Sequence, residues 1–355
     1  MKETICFITS YGGLNIDPQN MINGKDGCYG SEYALYEIAK RLVNDYNVFI
    51  TVIKPSDYFL RTDGINWIAE GDYNTWVQYA KPKHIIVLRY ISPFMRYYFP
   101  KDAKIYLWLH DILPLLHDEN FPIQKQFISL CNRFVDKYIS VGNQVIKNHY
   151  VPTWGMDESK FVTIKNGITL EKNWDVLSTK RKSLSFVFSS SAGKGLWVLL
   201  DYWKELIKKF PEATLDLYYG YPQQDTERLN EYVESYPSVK YHGKVSQKEL
   251  FEKYKETDYW FFPCKDEETC STTCFETAYY GPIQITNTKG PLIENVSGFK
   301  FVEGPTFWEN VLRTLESLEE NPFIKDSIRK KQYQFALENT WDHRASSWKE
   351  LLRQS

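Results

Sequence analysis

The chain has 355 residues, 43% of them hydrophobic, which is enough for two domains with cores of their own. With 43 basic and 45 acidic residues the formal net charge is -2, so there is no electrostatic reason to expect nucleic acid as a partner. The apolar stretch at the start is too short for a signal peptide and no apolar run is long enough to cross a bilayer. We therefore expect a cytoplasmic protein with no transmembrane segment and at most peripheral contact with a membrane.

Predicted strands and helices alternate along the first half of the chain. Strands are expected at Thr4–Ser10, Val48–Ile53, His84–Leu88, Lys104–Leu109, Lys137–Val141 and Phe161–Ile164. Helices are expected at Ser31–Asp45, Gln124–Phe134 and Gln144–Tyr150. This order is typical of a parallel sheet covered by helices. The polar stretch Glu171–Ser183 that follows has the composition of a linker.

The second half repeats this alternation. Strands are expected at Ser185–Phe188, Thr214–Tyr218, Val239–His242, Tyr259–Phe262 and Ile283–Ile285. Helices are expected at Gly195–Phe210, Asp225–Ser235, Gln247–Glu256, Phe307–Glu320, Ile324–Glu338 and Trp341–Arg353. Neither half carries a Gly-x-Gly-x-x-Gly sequence after its first strand, which argues against a dinucleotide-dependent dehydrogenase.

Two acidic residues lie where an aromatic strand ending near Pro263 passes into a predicted helix. Glu268 and Glu276 stand eight positions apart, one before the helix and one within it. The N–H groups of the loop and of the first helical turn favour an anion such as a diphosphate. The carboxylates accept hydrogen bonds from hydroxyls, which both a sugar and a ribose carry. The spacing indicates a nucleotide-sugar site, although it also occurs where both acids only cap or solvate a helix.

Further candidate residues lie at the ends of predicted strands or the starts of predicted helices. Lys194 opens the long helix of the second half, where it either neutralises a departing diphosphate or is simply solvated. His110 follows a strand, either as a sugar-contacting residue or as a satisfied histidine beside a turn. Gly13 and Gly30 let the backbone approach a phosphate or acceptor, or serve turn geometry alone.

The sequence gives no sign of a metal site. Cys264, Cys270 and Cys274 fit no zinc-binding spacing, so we expect ordinary reduced thiols, in keeping with a cytoplasmic location. No Asp-x-Asp sequence is present to hold Mn²⁺ or Mg²⁺. We therefore expect metal-independent chemistry.

Taken together, these segments resemble the retaining glycosyltransferases of family 4. The resemblance rests on the two glutamates and on Gly30-Ser31-Glu32, His110-Asp111, Ser140-Val141-Gly142-Asn143, Lys165-Asn166-Gly167-Ile168, Lys194-Gly195-Leu196, Tyr241-His242-Gly243 and Gly290-Pro291-Leu292-Ile293-Glu294. It runs nearly end to end and implies an α/β GT-B fold, in which two Rossmann-like domains with parallel sheets face each other across a cleft. The implied domains are an acceptor-side domain at 1–170, joined by a returning C-terminal helix at 339–355, and a nucleotide-sugar-binding domain at 184–338.

The resemblance also implies roles for individual residues. Glu276 would bind the ribose hydroxyls, Glu268 the hydroxyls of the transferred sugar, Lys194 the leaving phosphate, and His110 the sugar near its 6-position. Backbone amides near the sugar and phosphates would come from Thr269, Cys270, Ser271 and Thr272. The base would lie near Gly243, Lys244 and Val245, and the acceptor near the segments Asn15–Asp26 and Arg89–Arg96.

The chain departs from the family pattern at one position. An arginine usually found upstream of the phosphate-site lysine is replaced by the run Phe188-Ser189-Ser190-Ser191. Hydroxyls of Ser189 or Ser190 would supply weaker hydrogen bonds in its place. The usual pair of cations at the phosphates is therefore in doubt.

The expected reaction is the transfer of a sugar from a nucleoside diphosphate, UDP or GDP, to a hydroxyl of a glycan or glycoconjugate. The resemblance implies retention of anomeric configuration, and no cofactor is expected. Two alternatives stay open: an inverting GT-B transferase or sugar-nucleotide epimerase, and a catalytically silent module that binds nucleotide sugar or glycan. The Lys-, Tyr- and Asn-rich composition is similar to that of glycan-building enzymes of bacteria or of large, chlorovirus-like DNA viruses.

Overall fold

The structure, a computed structural model, describes residues 2–9, 30–53, 61–112 and 121–354. The chain divides into two compact units, one formed by Met1–Gly167 with Trp341–Ser355 and the other by Ile168–Thr340. Within the described residues, no helix has the length and apolar character needed to cross a membrane. Gly13 and the segment Asn15–Asp26 lie outside the described residues.

The first unit is built on an eight-stranded sheet. Its strands are β1 (Thr4–Ile8), β2 (Asn47–Val52), β3 (Arg61–Thr62), β4 (Ile65–Ala69), β5 (His84–Leu88), β6 (Lys104–Leu109), β7 (Lys137–Ser140) and β8 (Phe161–Thr163). They lie in the order β3-β4-β2-β1-β5-β6-β7-β8, and every neighbouring pair is parallel except β3 with β4. The strand β5 is buried along its whole length, because helices cover both faces of a parallel sheet.

Among the described residues of the first unit, four α-helices lie between these strands. They are α1 (Gly30–Leu42), α2 (Tyr73–Ala80), α3 (Phe121–Phe134) and the short α4 (Asn143–Val145), which continues into a π-helical turn at Ile146–Tyr150. The C-terminal helix, Trp341–Gln354, also belongs to this unit and packs on α1. Its buried Trp348 lies 4.8 Å from Trp108 of β6, ring centre to ring centre, and so extends the aromatic core of the first unit.

The second unit has a six-stranded, entirely parallel sheet. Its strands are β9 (Lys182–Phe188), β10 (Thr214–Leu217), β11 (Val239–Tyr241), β12 (Thr257–Phe262), β13 (Ile283–Asn287) and β14 (Phe299–Phe301). They lie in the order β11-β10-β9-β12-β13-β14. This is the doubly wound Rossmann order. The first strand of the unit, β9, lies beside the fourth, β12, and successive strands are added outward on either side of this pair.

The helices of the second unit follow the strands in turn. They are α5 (Leu196–Lys209), α6 (Gln223–Ser235), α7 (Gln247–Glu256), α8 (Thr272–Tyr280), α9 (Leu292–Asn295), α10 (Phe307–Glu320) and α11 (Pro322–Leu337). The predicted linker Glu171–Ser183 packs on this unit and its last two residues begin β9. For example, the indole N–H of Trp174 donates to the carbonyl of Tyr279 over 3.1 Å.

Candidate active site

The sequence-predicted donor residues cluster at the switch point of the second sheet. In such sheets, ligands bind beyond the carboxyl ends of the strands where the strand order reverses, which here lies between β9 and β12. Ser189, Ser190 and the turn Ala192–Lys194 follow β9, and the segment from Pro263 to Ser271 follows β12. The fold therefore carries Lys194 and Glu268, which are distant in sequence, to the same edge of one sheet.

Lys194 and Glu268 are in direct contact. The lysine Nζ lies 3.4 Å from Glu268 Oε1, with side-chain exposures of 32% and 12%. Gly195, which follows the lysine, has a φ of +116°, and a Cβ at this position would overlap the carbonyl oxygen of Pro263. Only glycine fits this left-handed conformation and this close approach of two backbones, so the tight packing fixes Lys194 beside the loop that carries Glu268.

Glu276 occupies a different environment from Glu268. It lies in the middle of α8 with only 9% of its surface exposed, and burial raises its pKa to about 7. Gln247, at the start of α7, approaches it with 3.5 Å between Nε2 and Oε1. A carboxyl group with this pKa changes charge near neutral pH and is suited to hydrogen bonds with hydroxyl groups.

The start of α8 presents backbone N–H groups next to these acids. Thr269 and Cys270 precede the helix, Ser271 occupies its N-cap position and Thr272 is its first residue. Within the described part of the chain the Ser271 side chain does not cap the helix. An anion at this helix end is favoured by the helix dipole.

The serines that replace the expected arginine are partly engaged by tyrosines. The hydroxyl of Ser189 lies 2.5 Å from the hydroxyl of the buried Tyr254 on α7. The carbonyl of Ser190 accepts a hydrogen bond from the hydroxyl of Tyr221 over 3.2 Å. Any bond from Ser189 to a phosphate would thus compete with, or be oriented by, Tyr254.

The predicted base-binding segment follows β11 at the same edge of the second sheet. Gly243 has a φ of +72°, with open space where a Cβ would stand, and its carbonyl accepts from the N–H of Tyr219 over 3.0 Å. Lys244 is exposed and Val245 is half-buried. The structure places this segment two strands away from β9, beyond β10, so it is not in the immediate group around Lys194 and Glu268.

The remaining predicted residues lie in the first unit. His110 follows β6 and is only 8% exposed, and its ring centre lies 4.7 Å from that of Trp108. Burial, followed by the charge of Arg89, lowers the pKa of His110 to about 3, so its imidazole is neutral at physiological pH. Gly30 is the first residue of α1, and a Cβ there would meet nothing within 4 Å. Helix geometry at this position therefore does not demand glycine.

Sequence reasoning missed two residues of the second unit that contact the predicted site. Gln247 and Tyr254 both belong to α7 and approach Glu276 and Ser189 respectively. Glu276 lies 29 positions from Gln247 along the chain, and Ser189 lies 65 positions from Tyr254. Only the packing of α7 beside α8 and beside the end of β9 reveals them, because no local spacing in the sequence links them to Glu276 or Ser189.

Comparisons with known proteins identify the fold. No protein-family model and no curated protein sequence matches the chain. Among solved structures, HepE of Anabaena in complex with UDP-glucose gives a TM-score of 0.69 at 16% identity, over 99% of this chain and 100% of that one. A glycosyltransferase of Rickettsia africae gives a TM-score of 0.74 at 15% identity, over 99% of this chain and 98% of that one. The catalytic domain of starch synthase IV of Arabidopsis thaliana, bound to ADP and acarbose, gives a TM-score of 0.72 at 13% identity. The match covers 100% of this chain and 99% of that one. The GT-B fold predicted from the sequence is confirmed.

Proposed function

We propose that this protein is a glycosyltransferase that moves a sugar from a nucleoside diphosphate to a hydroxyl of a glycan or glycoconjugate. The observation that carries the proposal is the 3.4 Å contact between Lys194 and Glu268 at the switch point of the second sheet, beside the helix that holds Glu276. The fold supports it, since HepE binds UDP-glucose and starch synthase IV binds ADP. A cation, a helix N-terminus and two acids are the groups that a diphosphate flanked by two polyols requires.

Each side chain has a distinct task in this proposal. Lys194 stabilises the negative charge that develops on the diphosphate as the bond to the sugar breaks. Glu268 accepts hydrogen bonds from the transferred sugar, and its contact with Lys194 keeps both groups near the reacting bond. Glu276 accepts hydrogen bonds from the ribose, for which its carboxylate form is the better acceptor. The segment Gly243 to Val245 lies along the base, and UDP or GDP is the proposed nucleotide.

In the first unit, His110 is proposed to contact the transferred sugar. Its neutral imidazole has one N–H donor and one acceptor nitrogen, so it can pair with a sugar hydroxyl in either sense. The segment Arg89 to Arg96 is proposed to face the acceptor.

The finer features of the reaction are likewise proposals. We assign the chain to the retaining family 4 enzymes, with transfer that needs no metal ion and a front-face attack in which the leaving phosphate accepts the acceptor's proton. We place the protein in the cytoplasm, because Cys6, Cys131, Cys264, Cys270 and Cys274 are buried thiols that form no disulfide. Origin in a bacterium or a large DNA virus that builds its own glycans fits the same proposal.

A second candidate is a module that binds nucleotide sugar without transferring it. Two points favour it: the run Phe188-Ser189-Ser190-Ser191 replaces an arginine that is usual upstream of the phosphate-site lysine in the family that the sequence resembles, and the Ser189 hydroxyl already contacts Tyr254. Such a module would bind the donor but leave its glycosidic bond intact.

The deciding experiment screens UDP-, GDP-, ADP- and dTDP-sugars for a rise in melting temperature, since ligand that binds only the folded state stabilises it. The stabilising donor is then incubated with the wild type, with Glu268→Gln and with Glu309→Gln, a control at an exposed position on α10. We expect slow donor hydrolysis by the wild type and by the control, and much less by Glu268→Gln. Equal hydrolysis by all three, or by none, contradicts the transferase. NMR of the product anomer separates retention from inversion.

A further inference from the structure

Arg89 adopts a backbone conformation that is rare for a residue with a side chain. It follows β5 at the switch point of the first sheet, and its φ is +75°. The N–H of Tyr90 donates to the carbonyl of Leu88 over 2.9 Å, which closes a three-residue turn with Arg89 at its centre. A γ-turn with positive φ at its centre is strained, and such strain persists where the surroundings over-determine it, commonly at functional sites.

The side chain of Arg89 is held at two points by one carboxylate. Its Nε and Nη2 both donate to Asp111, with 3.0 Å between Nη2 and Oδ1. Its guanidinium also lies 4.9 Å from the ring centre of Tyr90. A two-point contact of this kind fixes direction as well as distance. The strained turn after β5 therefore aims the guanidinium at the residue immediately after His110.

The turn that begins at His110 is anchored from other elements as well. The hydroxyl of Tyr150 donates to the carbonyl of Asp111 over 2.6 Å. The indole N–H of Trp154 donates to the carbonyl of Ile112 over 3.2 Å. Of these three residues, Arg89 alone contacts the side chain of Asp111. Its positive charge also lowers the pKa of the His110 imidazole. The turn is thus fixed in its backbone by Tyr150 and Trp154, and in its side chain by Arg89.

We propose that Arg89 is a positioning residue, which acts through Asp111 to hold the His110 imidazole in one orientation and one tautomer toward the transferred sugar. This inference rests on the proposed function, in which His110 contacts that sugar. A misplacement of about 1 Å at such a contact costs on the order of 100-fold in rate. The strained turn is in this way connected to the reaction.

The test uses Arg89→Gly, which accommodates the positive φ and removes the whole side chain, the guanidinium included. Lys81→Gly is the matched control, because Lys81 is an exposed residue of the same unit that also has positive φ, 44°, at the end of α2. We expect Arg89→Gly to lower kcat by about 100-fold with little change in the Kd for the free nucleotide. Lys81→Gly should keep the wild-type kcat. Arg89→Lys, which retains the charge but not the two-point contact, should lose nearly as much activity as Arg89→Gly.

A double mutant shows whether Arg89 acts through His110. If it does, Arg89→Gly combined with His110→Gln should be no slower than the slower single variant, whereas independent roles would multiply the two losses. Multiplied losses, or an unchanged kcat in Arg89→Gly, would overturn the proposal.

A second readout does not require turnover. Nitrogen NMR of the histidine side chains, assigned with His110→Gln, should show one dominant tautomer of His110 in the wild type and in Lys81→Gly, and a mixture in Arg89→Gly. An unchanged His110 signal in Arg89→Gly contradicts the positioning role even if the protein transfers sugar. If the wild type transfers no sugar from any donor, the proposed function fails, while the NMR comparison still decides whether Arg89 orients His110.

Discussion

Lys194 Nζ and Glu268 Oε1 lie 3.4 Å apart, although 74 positions separate the two residues in the sequence, as 268 minus 194 gives. Both side chains retain access to solvent, so the attraction between them contributes little to stability, about 0 to 1 kcal/mol for a pair of this kind. Their proximity instead places a cation and a carboxylate where a reacting diphosphate sugar is proposed to lie.

The first prediction separates the roles of the two glutamates. Glu268→Ala should lower kcat more than nucleotide affinity, whereas Glu276→Ala should weaken nucleotide binding, each by about 1 to 3 kcal/mol for a lost charged hydrogen bond. Steady-state kinetics and calorimetric titration with the free nucleoside diphosphate measure the two effects. Unchanged kinetics and affinity in both variants would remove these acids from the site.

The second prediction concerns the pH dependence of stability caused by Glu276. Burial raises its pKa from 4.5 to about 7, so the folded state holds the proton more tightly than the unfolded chain. The stabilising contribution of the neutral acid is complete below pH 4.5 and is lost as the pH rises to about 7. Glu276→Gln should therefore be more stable than the wild type above neutral pH, by up to about 3 kcal/mol.

Urea unfolding of both proteins at pH 5 and pH 8 tests this second prediction. The difference between wild type and Glu276→Gln should be small at the lower pH and appear at the higher one. A difference that does not change with pH would show that Glu276 keeps the same charge in the folded and unfolded states over this range.

Much of the fold was predictable because its strands are short apolar runs between helical segments. His84–Leu88 and Lys104–Leu109 have the predicted bounds, since both are buried strands of a parallel sheet. The strand Ile65–Ala69 and the helix Tyr73–Ala80 were not predicted. Their sequences mix apolar residues with Asn, Thr and Gln and have no clear period, and the strand forms through its register with β2.

The start of β12 shows another limit of sequence reasoning. The strand was predicted from Tyr259, but it begins at Thr257 and includes a fully buried aspartate, Asp258. An acid is expected outside a core, and this one is tolerated because Lys325 and Arg329 of α11, 67 and 71 positions away, neutralise it. The strained turn at Arg89 is a comparable case, since its partner Asp111 lies after the next strand.

The third prediction follows from this buried ion cluster. Lys325 Nζ lies 2.8 Å from Asp258 Oδ2, and Arg329 binds the other carboxylate oxygen. Lys325 also contacts Glu319 and Arg329 also contacts Asp326, but Asp258→Asn removes the buried counter-charge that the two cations share. It should destabilise the second unit by about 3 kcal/mol. Glu309→Gln, which breaks the exposed pair with Arg313, should cost less than about 0.5 kcal/mol. Equal midpoints of urea unfolding for the two variants would contradict this assignment.

The fourth prediction concerns the close approach of two backbones that fixes Lys194. Gly195→Ala introduces a Cβ at a φ of +116° against the carbonyl group of Pro263, which belongs to rigid backbone. The left-handed conformation alone costs about 1 to 2 kcal/mol, and the overlap adds to it.

Gly155→Ala is the matched control, because Gly155 has a φ of +67° but nothing within 4 Å of the added Cβ. We expect Gly195→Ala to lose at least about 2 kcal/mol more stability than the control and to lower kcat as well, since the shift displaces Lys194 from Glu268. Thermal unfolding and donor hydrolysis measure the two effects, and equal losses in both variants would show that the Gly195–Pro263 approach does not hold the site together.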